Sequence, residues 1–453
     1  METQNTDVKS NTRLINNYIS KYKESKRPIA VSFKKKLKHL NSSDRYTHLI
    51  HTYPAKLLMH IPYFFLNNSV FSKKGDYVLD PFCGTGTVLL ESILANRKAL
   101  GADANPLARL IANVKTEKQN YKELRKHLTN IIYRSKKYDF APIPEVVNIN
   151  HWFPKKTQKN LAKILKAIKG LKDEKIRSFF LVCFSNCVKK VSYADPRIAV
   201  PVKINPERFK DDINKYNGTK KYLKKIEQID VFDKFKSISL LNIERLNTLN
   251  KEVEKKFKAK VISNDARKLT SSIKSKRKLK DNSVQLIITS PPYAGAQKYI
   301  RSSSLNLGWT EMADAFELLE LDKKNIGREN YKISELEIKL TGINKADSLI
   351  KQIFLIDKIR AKIIAQYLID MKSAIDESIR VLKKGGYFVL IVGNNKVCNK
   401  EFNTQKYLTE VVEKKGLTLI FKLIDDIKSY GLMTKRNKTA DIISREWVLV
   451  FKK

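Results

Sequence analysis

A strand–turn–helix–strand pattern between residues 76 and 103 restricts the fold of this chain more than any other feature. The apolar run that ends at Asp80 is typical of a buried strand, and a turn containing Gly84 and Gly86 follows it. An apolar helix pattern comes next, and then a second short strand that ends at Asp103. Two strands joined through a helix in this way run parallel, so the pattern predicts an α/β fold with a mostly parallel sheet.

The glycine turn and Asp103 also indicate a ligand. Glycine lets the backbone of such a turn come close to a bound molecule, and a carboxylate about 20 residues further on reaches the hydroxyls of a ribose in open α/β sheets. The spacing of Gly84 and Asp103 agrees with that arrangement. The pattern therefore favours a nucleoside cofactor. The alternative is a purely structural α/β unit.

A second motif, Thr289-Ser290-Pro291-Pro292-Tyr293, directly follows the apolar run of residues 284–288. Each proline fixes its own φ and lacks an N–H, so the backbone after the strand is rigid and its carbonyls have few local donors. Such carbonyls and the hydroxyl of Ser290 are able to accept hydrogen bonds from an exocyclic amine, and the ring of Tyr293 is able to stack on a base. The motif predicts a grip for a flipped nucleobase, unless it serves only as a proline-rich turn.

Together these motifs resemble those of the S-adenosylmethionine-dependent DNA amino-methyltransferases, the N4-cytosine and N6-adenine family found in restriction–modification systems. The resemblance is carried by residues 80–87 and 290–293, with weaker matches at 51–57, 264–266 and 384–393. It implies a Rossmann-like methyltransferase sheet that is mostly parallel, with seven strands and a terminal antiparallel strand, interrupted by a largely helical inserted region.

The resemblance also implies roles for individual residues. Asp103 would hold the ribose and Asp265 the adenine amine of the cofactor. The Ser290 side chain and the Pro291 carbonyl would accept hydrogen bonds from the amine to be methylated, while Tyr293 stacks on its base. The implied cofactor-binding residues are Tyr53, Pro54, Lys56, Asp80, Phe82, Gly84, Gly86, Asp103 and Asp265, and the implied catalytic residues are Ser290, Pro291, Pro292 and Tyr293.

The base that receives the methyl group is less tightly constrained. In the family, serine at the position of Ser290 is associated with cytosine N4, which makes a site-specific cytosine-N4 DNA methyltransferase the favoured prediction. An adenine-N6 DNA methyltransferase, an RNA guanine-N2 methyltransferase and a catalytically silent DNA-binding subunit are the alternatives. An exocyclic amine is itself the nucleophile, so Cys83 in the glycine turn is not expected to act as one.

The charge of the chain points to a polyanionic partner. The 453 residues include 89 Lys and Arg against 46 Asp and Glu, a formal net charge of +43. Such an excess favours nucleic acid, and double-stranded DNA is the predicted partner, with a cognate restriction endonuclease as a further candidate. The four cysteines show no paired metal-ligand spacing, so no metal is expected. We expect a cytoplasmic protein without a membrane segment.

Four blocks follow from the positions of the motifs: a basic N-terminal segment (1–45), the cofactor-binding half (46–116), a helical insert that is the favoured target-recognition region (117–257), and the catalytic half (258–453). The N-terminal segment is interpreted as a solvated arm rather than a helix along phosphate. A second insertion at about 297–350 is the rival recognition region. Residues 353–380 predict one or two long helices, and residues 435–441 a loop that either faces substrate or only joins two strands.

Overall fold

The computed structural model describes residues 2–40, 45–54, 56–295, 299–426 and 445–453, so the predicted loop at 435–441 lies outside the described residues. The strands are β1 (Ile29–Val31), β2 (Tyr77–Asp80), β3 (Lys98–Ala102), β4 (Ala259–Ser263), β5 (Val284–Thr289), β6 (Leu382–Val392), β7 (Asn395–Val397), β8 (Lys400–Phe402), β9 (Thr418–Asp426) and β10 (Arg445–Lys452). The helices are α1 (Glu2–Ser25), α2 (Phe33–Lys36), α3 (His60–Leu66), α4 (Thr87–Leu94), α5 (Pro106–Thr116), α6 (Tyr121–Lys137), α7 (Ile149–Trp152), α8 (Lys155–Lys169), α9 (Glu174–Val188), α10 (Ile213–Gln228), α11 (Val231–Glu252), α12 (Tyr299–Trp309), α13 (Ala315–Lys324), α14 (Asn344–Phe354), α15 (Lys358–Val381) and α16 (Thr404–Lys414).

The described strands form an eight-stranded sheet in the order β1-β9-β10-β6-β5-β2-β3-β4, and β7 and β8 pair separately as a hairpin. Strand β10 runs antiparallel to β6 and β9, while the other pairings are parallel. This is the mixed, mostly parallel sheet of the Rossmann-like methyltransferase fold, as predicted. Seven of its strands correspond to the predicted set, and β1 adds an eighth at the edge.

The N-terminal segment belongs to the core of the fold, so the expectation of a solvated arm is wrong. Helix α1 packs on β9 through Ile15, Tyr18 and Tyr22, which are buried. Strand β1 then pairs with β9 in parallel. The three apolar side chains recur at the three- and four-residue spacing of a helix face, a signal that the lysine-rich composition of the segment obscures.

Helices cover both faces of the sheet. Successive residues of each strand point to opposite sides, so every strand contributes side chains to the core on each face. Val78 and Val389 lie in the core beneath α1 and α3, whereas their neighbours Leu79 and Phe388 lie in the core beneath α14, α15 and α16. The sheet is therefore buried on both sides, as the near-continuous apolar strands predict.

The helical insert at 117–257 extends this core. Side chains of α6, α8, α9 and α11 form one buried cluster with α4 and α5, in which Leu107 of α5 and Phe180 of α9 are both fully buried. Burial of one such side chain stabilises the fold by about 1.5–3 kcal/mol. Within the described residues, no helix is both long and apolar enough to cross a membrane.

Candidate active site

A cleft of about 720 Å³, open to solvent, lies at the carboxyl ends of β2, β3, β4 and β5. The carboxyl edge of an open α/β sheet is the usual position of such a site, because helix N-termini and loops converge there. The cleft is lined by Tyr53, Pro81, Phe82, Gly84, Asp103, Ala104, Asn105, Asp265, Ala266, Ser290, Pro292, Tyr299, Lys324, Asn325 and Ile326.

The glycine turn and Asp103 meet because β2 and β3 are paired neighbours. The backbone N–H of Gly84 donates to Oδ2 of Asp103 at 2.9 Å, and the N–H of Asn105 donates to Oδ1 at 2.8 Å. Burial raises the pKa of Asp103, while the two backbone N–H donors and the Arg109 guanidinium oppose that rise. The carboxylate is thus fixed by the backbone on both sides and faces the cleft.

Gly86 supports the turn from behind and is not among the residues that line the cleft. It is the N-cap residue of α4 with a φ of +79°, and a Cβ at this position would lie 3.0 Å from the Cβ of Ala112 on α5. The positive φ and the close approach of α5 both require glycine here. In place of a direct contact with a ligand, the structure gives Gly86 a packing role.

Asp80 joins the two sequence motifs. It ends β2, and its Oδ1 accepts hydrogen bonds from the hydroxyl of Thr289 at the end of β5 (2.6 Å) and from the N–H of Phe82 (3.0 Å). Burial raises the pKa of Asp80 to about 7. The side chain lies behind the wall of the cleft, where it ties the glycine turn to the strand that carries Ser290.

The proline motif brings two of its members to the cleft, namely Ser290 and Pro292. Pro291 is buried behind them. The hydroxyl of Tyr293 donates to Oε1 of Glu446, at the start of β10, over 3.2 Å, and burial raises the pKa of that glutamate. A Cβ on Gly327, whose φ is +79°, would lie only 2.8 Å from the carbonyl oxygen of Tyr293, so a glycine is needed beside the motif.

The segment before α3 contributes Tyr53 to the cleft. The amide Nδ2 of Asn105 donates to the hydroxyl of Tyr53 at 3.0 Å and to Oγ of Ser303 at 3.0 Å, which places α12 against the cofactor half. Pro54 is not a lining residue, and Ala55 lies outside the described residues.

The side chain of Lys56 points away from the cleft, unlike its predicted position. Its Nζ donates to the backbone carbonyls of His51 (2.5 Å) and His48 (3.2 Å), and burial lowers its pKa to about 8. The carbonyls of a tight turn need a donor when they are buried, and Lys56 satisfies them. The structure therefore assigns Lys56 to the support of the segment that carries Tyr53.

Asp265 lies at the cleft together with Ala266, and it has a partner that the sequence pattern does not reveal. Nε of Arg267 donates to Oδ1 of Asp265 at 2.9 Å and Nη2 donates to Oδ2 at 3.1 Å, while Nη1 reaches Asp370 on α15 at 3.1 Å. A carboxylate has about four lone-pair positions, so Asp265 retains acceptor capacity toward the cleft.

The second insertion supplies lining residues that the sequence interpretation missed. Tyr299 on α12 and the segment 324–326 at the end of α13 close the cleft opposite Asp103. Nη2 of Arg267 donates to the carbonyl of Lys324 at 3.1 Å, which holds this segment beside Asp265. Nothing in the local sequence distinguishes Lys324 from other lysines of this basic chain, so only the folded structure identifies the contact.

Comparisons with known proteins find similarity to DNA methyltransferases. The DNA methylase family of N6 and N4 methyltransferases matches residues 4–114. The chain is 24% identical over 420 residues to the type II methyltransferase M.MvaI of Kocuria varians, covering 87% of each chain. It is 24% identical over 257 residues to the type II methyltransferase M.BsoBI of Geobacillus stearothermophilus, covering 52% of this chain and 47% of that protein.

A solved rRNA methyltransferase, aviRa of Streptomyces viridochromogenes, aligns over 93% of this chain and 96% of its own at 9% identity, with a TM-score of 0.33. The two structures are therefore only weakly similar. The family model and the curated relatives support a DNA amino-methyltransferase of restriction–modification type, with S-adenosylmethionine as the methyl donor.

The residues of the cleft fit this cofactor. Asp103 and Asp265 offer carboxylate acceptors to the donor groups of a nucleoside, namely its hydroxyls and its amine. Ala266 and Ile326, both largely buried, and Pro292 provide apolar surfaces on which a purine is able to pack.

Proposed function

We propose that this DNA methyltransferase transfers a methyl group to the exocyclic amine of a base flipped out of duplex DNA, with cytosine N4 as the position methylated. The observation that carries the proposal is the shared cleft: Ser290 and Pro292 of the proline motif line the same cavity as Asp103 and Asp265. The groups suited to an amine and the groups suited to a nucleoside thus face one another at the sheet edge. A base within an intact duplex cannot reach such a cleft, so it must leave the stack.

On the cofactor side, we assign Asp103 to the ribose hydroxyls and Asp265 to the adenine amine. Phe82 and Gly84 of the glycine turn line the cleft beside Asp103. S-adenosylmethionine supplies a methyl group on a sulfonium, a leaving group that makes alignment the main task of the protein. The backbone hydrogen bonds to Asp103 place its carboxylate before a ligand arrives, which limits the reorganisation that binding requires.

On the target side, Oγ of Ser290 and the carbonyl of Pro291 accept hydrogen bonds from the amine of the base. These bonds orient the amine and draw its protons away from the methyl donor, so that the nitrogen lone pair faces the carbon it attacks. Tyr293 stacks on the base, and its bond to Glu446 fixes the plane of its ring.

A covalent cysteine mechanism finds no support at this site, since none of the four cysteines lines the cleft. Cys83 lies behind the glycine turn, where a Cβ on Gly101 would come within 2.9 Å of its Sγ. Burial raises the pKa of its thiol, which disfavours the reactive thiolate. The proposal of an amine target is consistent with this arrangement.

We also assign target recognition to the helical insert at 117–257. The C-terminal turn of α9 abuts the segment that carries Tyr53: the amide oxygen of Asn186 accepts from the N–H of Thr52 at 3.2 Å and from its hydroxyl at 2.9 Å. The loop after α9, residues 189–212, therefore begins at the rim of the cleft. It contains Lys203, Arg208 and Lys210, which are exposed and suit contacts with phosphate.

The test is incubation of the purified protein with methyl-labelled S-adenosylmethionine and either unmethylated duplex DNA or total RNA, followed by nucleoside analysis. We expect label in N4-methylcytosine from DNA. Label in N6-methyladenine would keep the chemistry and overturn the base, and label in RNA alone would overturn the substrate. Ser290→Ala should abolish most of the transfer, whereas the control Ser373→Ala on the exposed face of α15 should behave like the wild type.

A further inference from the structure

The turn between α14 and α15 exposes an aliphatic pair. Leu355 is 87% exposed and Ile356 is 60% exposed, and Ile359, one turn into α15, is 41% exposed. Leucine and isoleucine are among the residues most often buried. A single exposed leucine or isoleucine is common on a protein surface, whereas two adjacent ones at the tip of a turn are not. A cluster of this kind marks a surface that contacts another molecule.

The topology places this turn on the same side of the sheet as the catalytic motif. Strands β5 and β6 are parallel, so α15, which leads into β6, must run back from the carboxyl edge of the sheet. Ile363 of α15 touches the loop after the proline motif: a Cβ on Gly295 would lie 2.9 Å from its Cγ2. Because a helix rises 1.5 Å per residue, the turn projects roughly 10 Å beyond that contact.

The charges around the turn identify the class of partner. Lys351, Lys358 and Arg360 flank the aliphatic pair, while the carboxylate of Asp357 is engaged at the helix start, where its Oδ1 accepts from the N–H of Arg360 at 2.9 Å. A second copy of a chain with a net charge of +43 would be repelled by this surface, whereas a nucleic acid backbone would be attracted. The combination of cations and exposed aliphatic side chains suits DNA.

We propose that Leu355 and Ile356 form a wedge that enters the base stack of duplex DNA beside the target base, with Lys351, Lys358 and Arg360 on the flanking phosphates. The inference rests on the proposed function and deepens it by naming the groups that help the base leave the stack. Proteins that open base steps use aliphatic side chains in this way, because these side chains replace the stacking contacts that the duplex loses. The position of the turn, beyond the loop that follows the proline motif and outside the cleft, agrees with such a role.

The experiment compares the wild type with the double variant Leu355→Ser/Ile356→Ser and with the control Ile273→Ser, a partly exposed isoleucine in the segment that joins β4 to β5. The substrates are two duplexes that contain the site at which the wild type methylates DNA. In one duplex the target base is paired, and in the other it is mispaired. We expect the wedge variant to methylate the paired duplex about tenfold more slowly and the mispaired duplex at nearly the wild-type rate, because a mispaired base needs little help to leave the stack. Affinity for S-adenosylmethionine, measured by calorimetry, should equal that of the wild type, as should both rates of the control.

Three results would overturn the wedge. The first is a wedge variant with the wild-type rate on the paired duplex, and the second is an equal loss on both duplexes, which would indicate general DNA contact. The third is a wild-type dimer that becomes monomeric in the variant, which would make the turn a contact between copies. Failure of the proposed function looks different, because then the wild type itself labels neither duplex, and the wedge falls with it.

Discussion

On the β2–β3 side of the cleft, the carboxylates are held by backbone N–H groups of one strand–helix–strand unit: the N–H of Phe82 binds Asp80, and the N–H groups of Gly84 and Asn105 bind Asp103. On the β5 side, the proline motif is held from far away, by Glu446 on the Tyr293 hydroxyl and by the close approach of Gly327. The difference teaches that the cofactor half is preorganised locally. The proposed target half is instead assembled by the tertiary fold.

The largest expected effect separates the two halves. Ser290→Ala should lower the rate of methyl transfer by about 10²–10³-fold, the cost of losing one preorganised hydrogen-bond partner at a reacting group. Affinity for S-adenosylmethionine, measured by calorimetry, should stay close to that of the wild type. A variant that binds the cofactor tenfold more weakly and transfers normally once saturated would place Ser290 in the cofactor half instead.

A pH experiment tests Asp80, the buried residue that joins the glycine turn to the end of β5. Asp80 has a pKa of about 7 in the folded protein and about 4 when unfolded. Between these values the unfolded chain has lost the proton that the folded chain keeps, so Asp80 lowers stability progressively as pH rises from about 4 to 7. The isosteric Asp80→Asn keeps an acceptor for Thr289 and Phe82 and lacks this titration.

We therefore expect the free energy of unfolding of Asp80→Asn, relative to the wild type, to rise by a few kcal/mol between about pH 4 and pH 7 and then to stay level. Denaturant unfolding at several pH values measures this difference. A difference that does not vary with pH would mean that Asp80 ionises in the folded protein as readily as it does in water.

Removal of a single carboxylate sharpens the comparison on the cofactor side. Asp103→Ala should weaken S-adenosylmethionine binding by about 1.5–3 kcal/mol, or roughly 10- to 150-fold, because it deletes a charge-assisted hydrogen bond. The glycine turn loses its brace as well, so thermal unfolding has to be recorded beside calorimetry. Asp233→Ala at the start of α11 is the matched control, and wild-type affinity in Asp103→Ala would remove this residue from the ribose.

The smallest effect concerns the support of the target half. Tyr293→Phe keeps the ring and loses the bond to Glu446, so the methylation rate should fall by up to about tenfold, in line with about 0.5–1.5 kcal/mol for one hydrogen bond. Tyr293→Ala removes the ring and should cost more. Equal losses in the two variants would show that the hydroxyl contact, rather than stacking, is the function of Tyr293.

Much of the fold is readable from the sequence because strands and helices report their own burial pattern. The runs before Asp80, Asp103 and Ser290 predict parallel strands, and the structure places the ends of all three strands at one edge of one sheet. Helix α1 escaped prediction because its three buried side chains stand among many polar residues, and β1 has only three residues. Patterns this short or this diluted do not rise above the composition around them.

The sequence by itself determined which chemical groups the cleft contains: two acids and a serine–proline motif at strand ends. Only the tertiary structure decided where these side chains point and which groups they form hydrogen bonds and ion pairs with. Lys56 turns inward to backbone carbonyls, Asp265 pairs with Arg267, and residues 324–326 line the same cleft as Asp103, which lies more than 200 residues earlier in the chain. These choices depend on contacts between segments far apart in the chain, and local periodicity carries no information about such contacts.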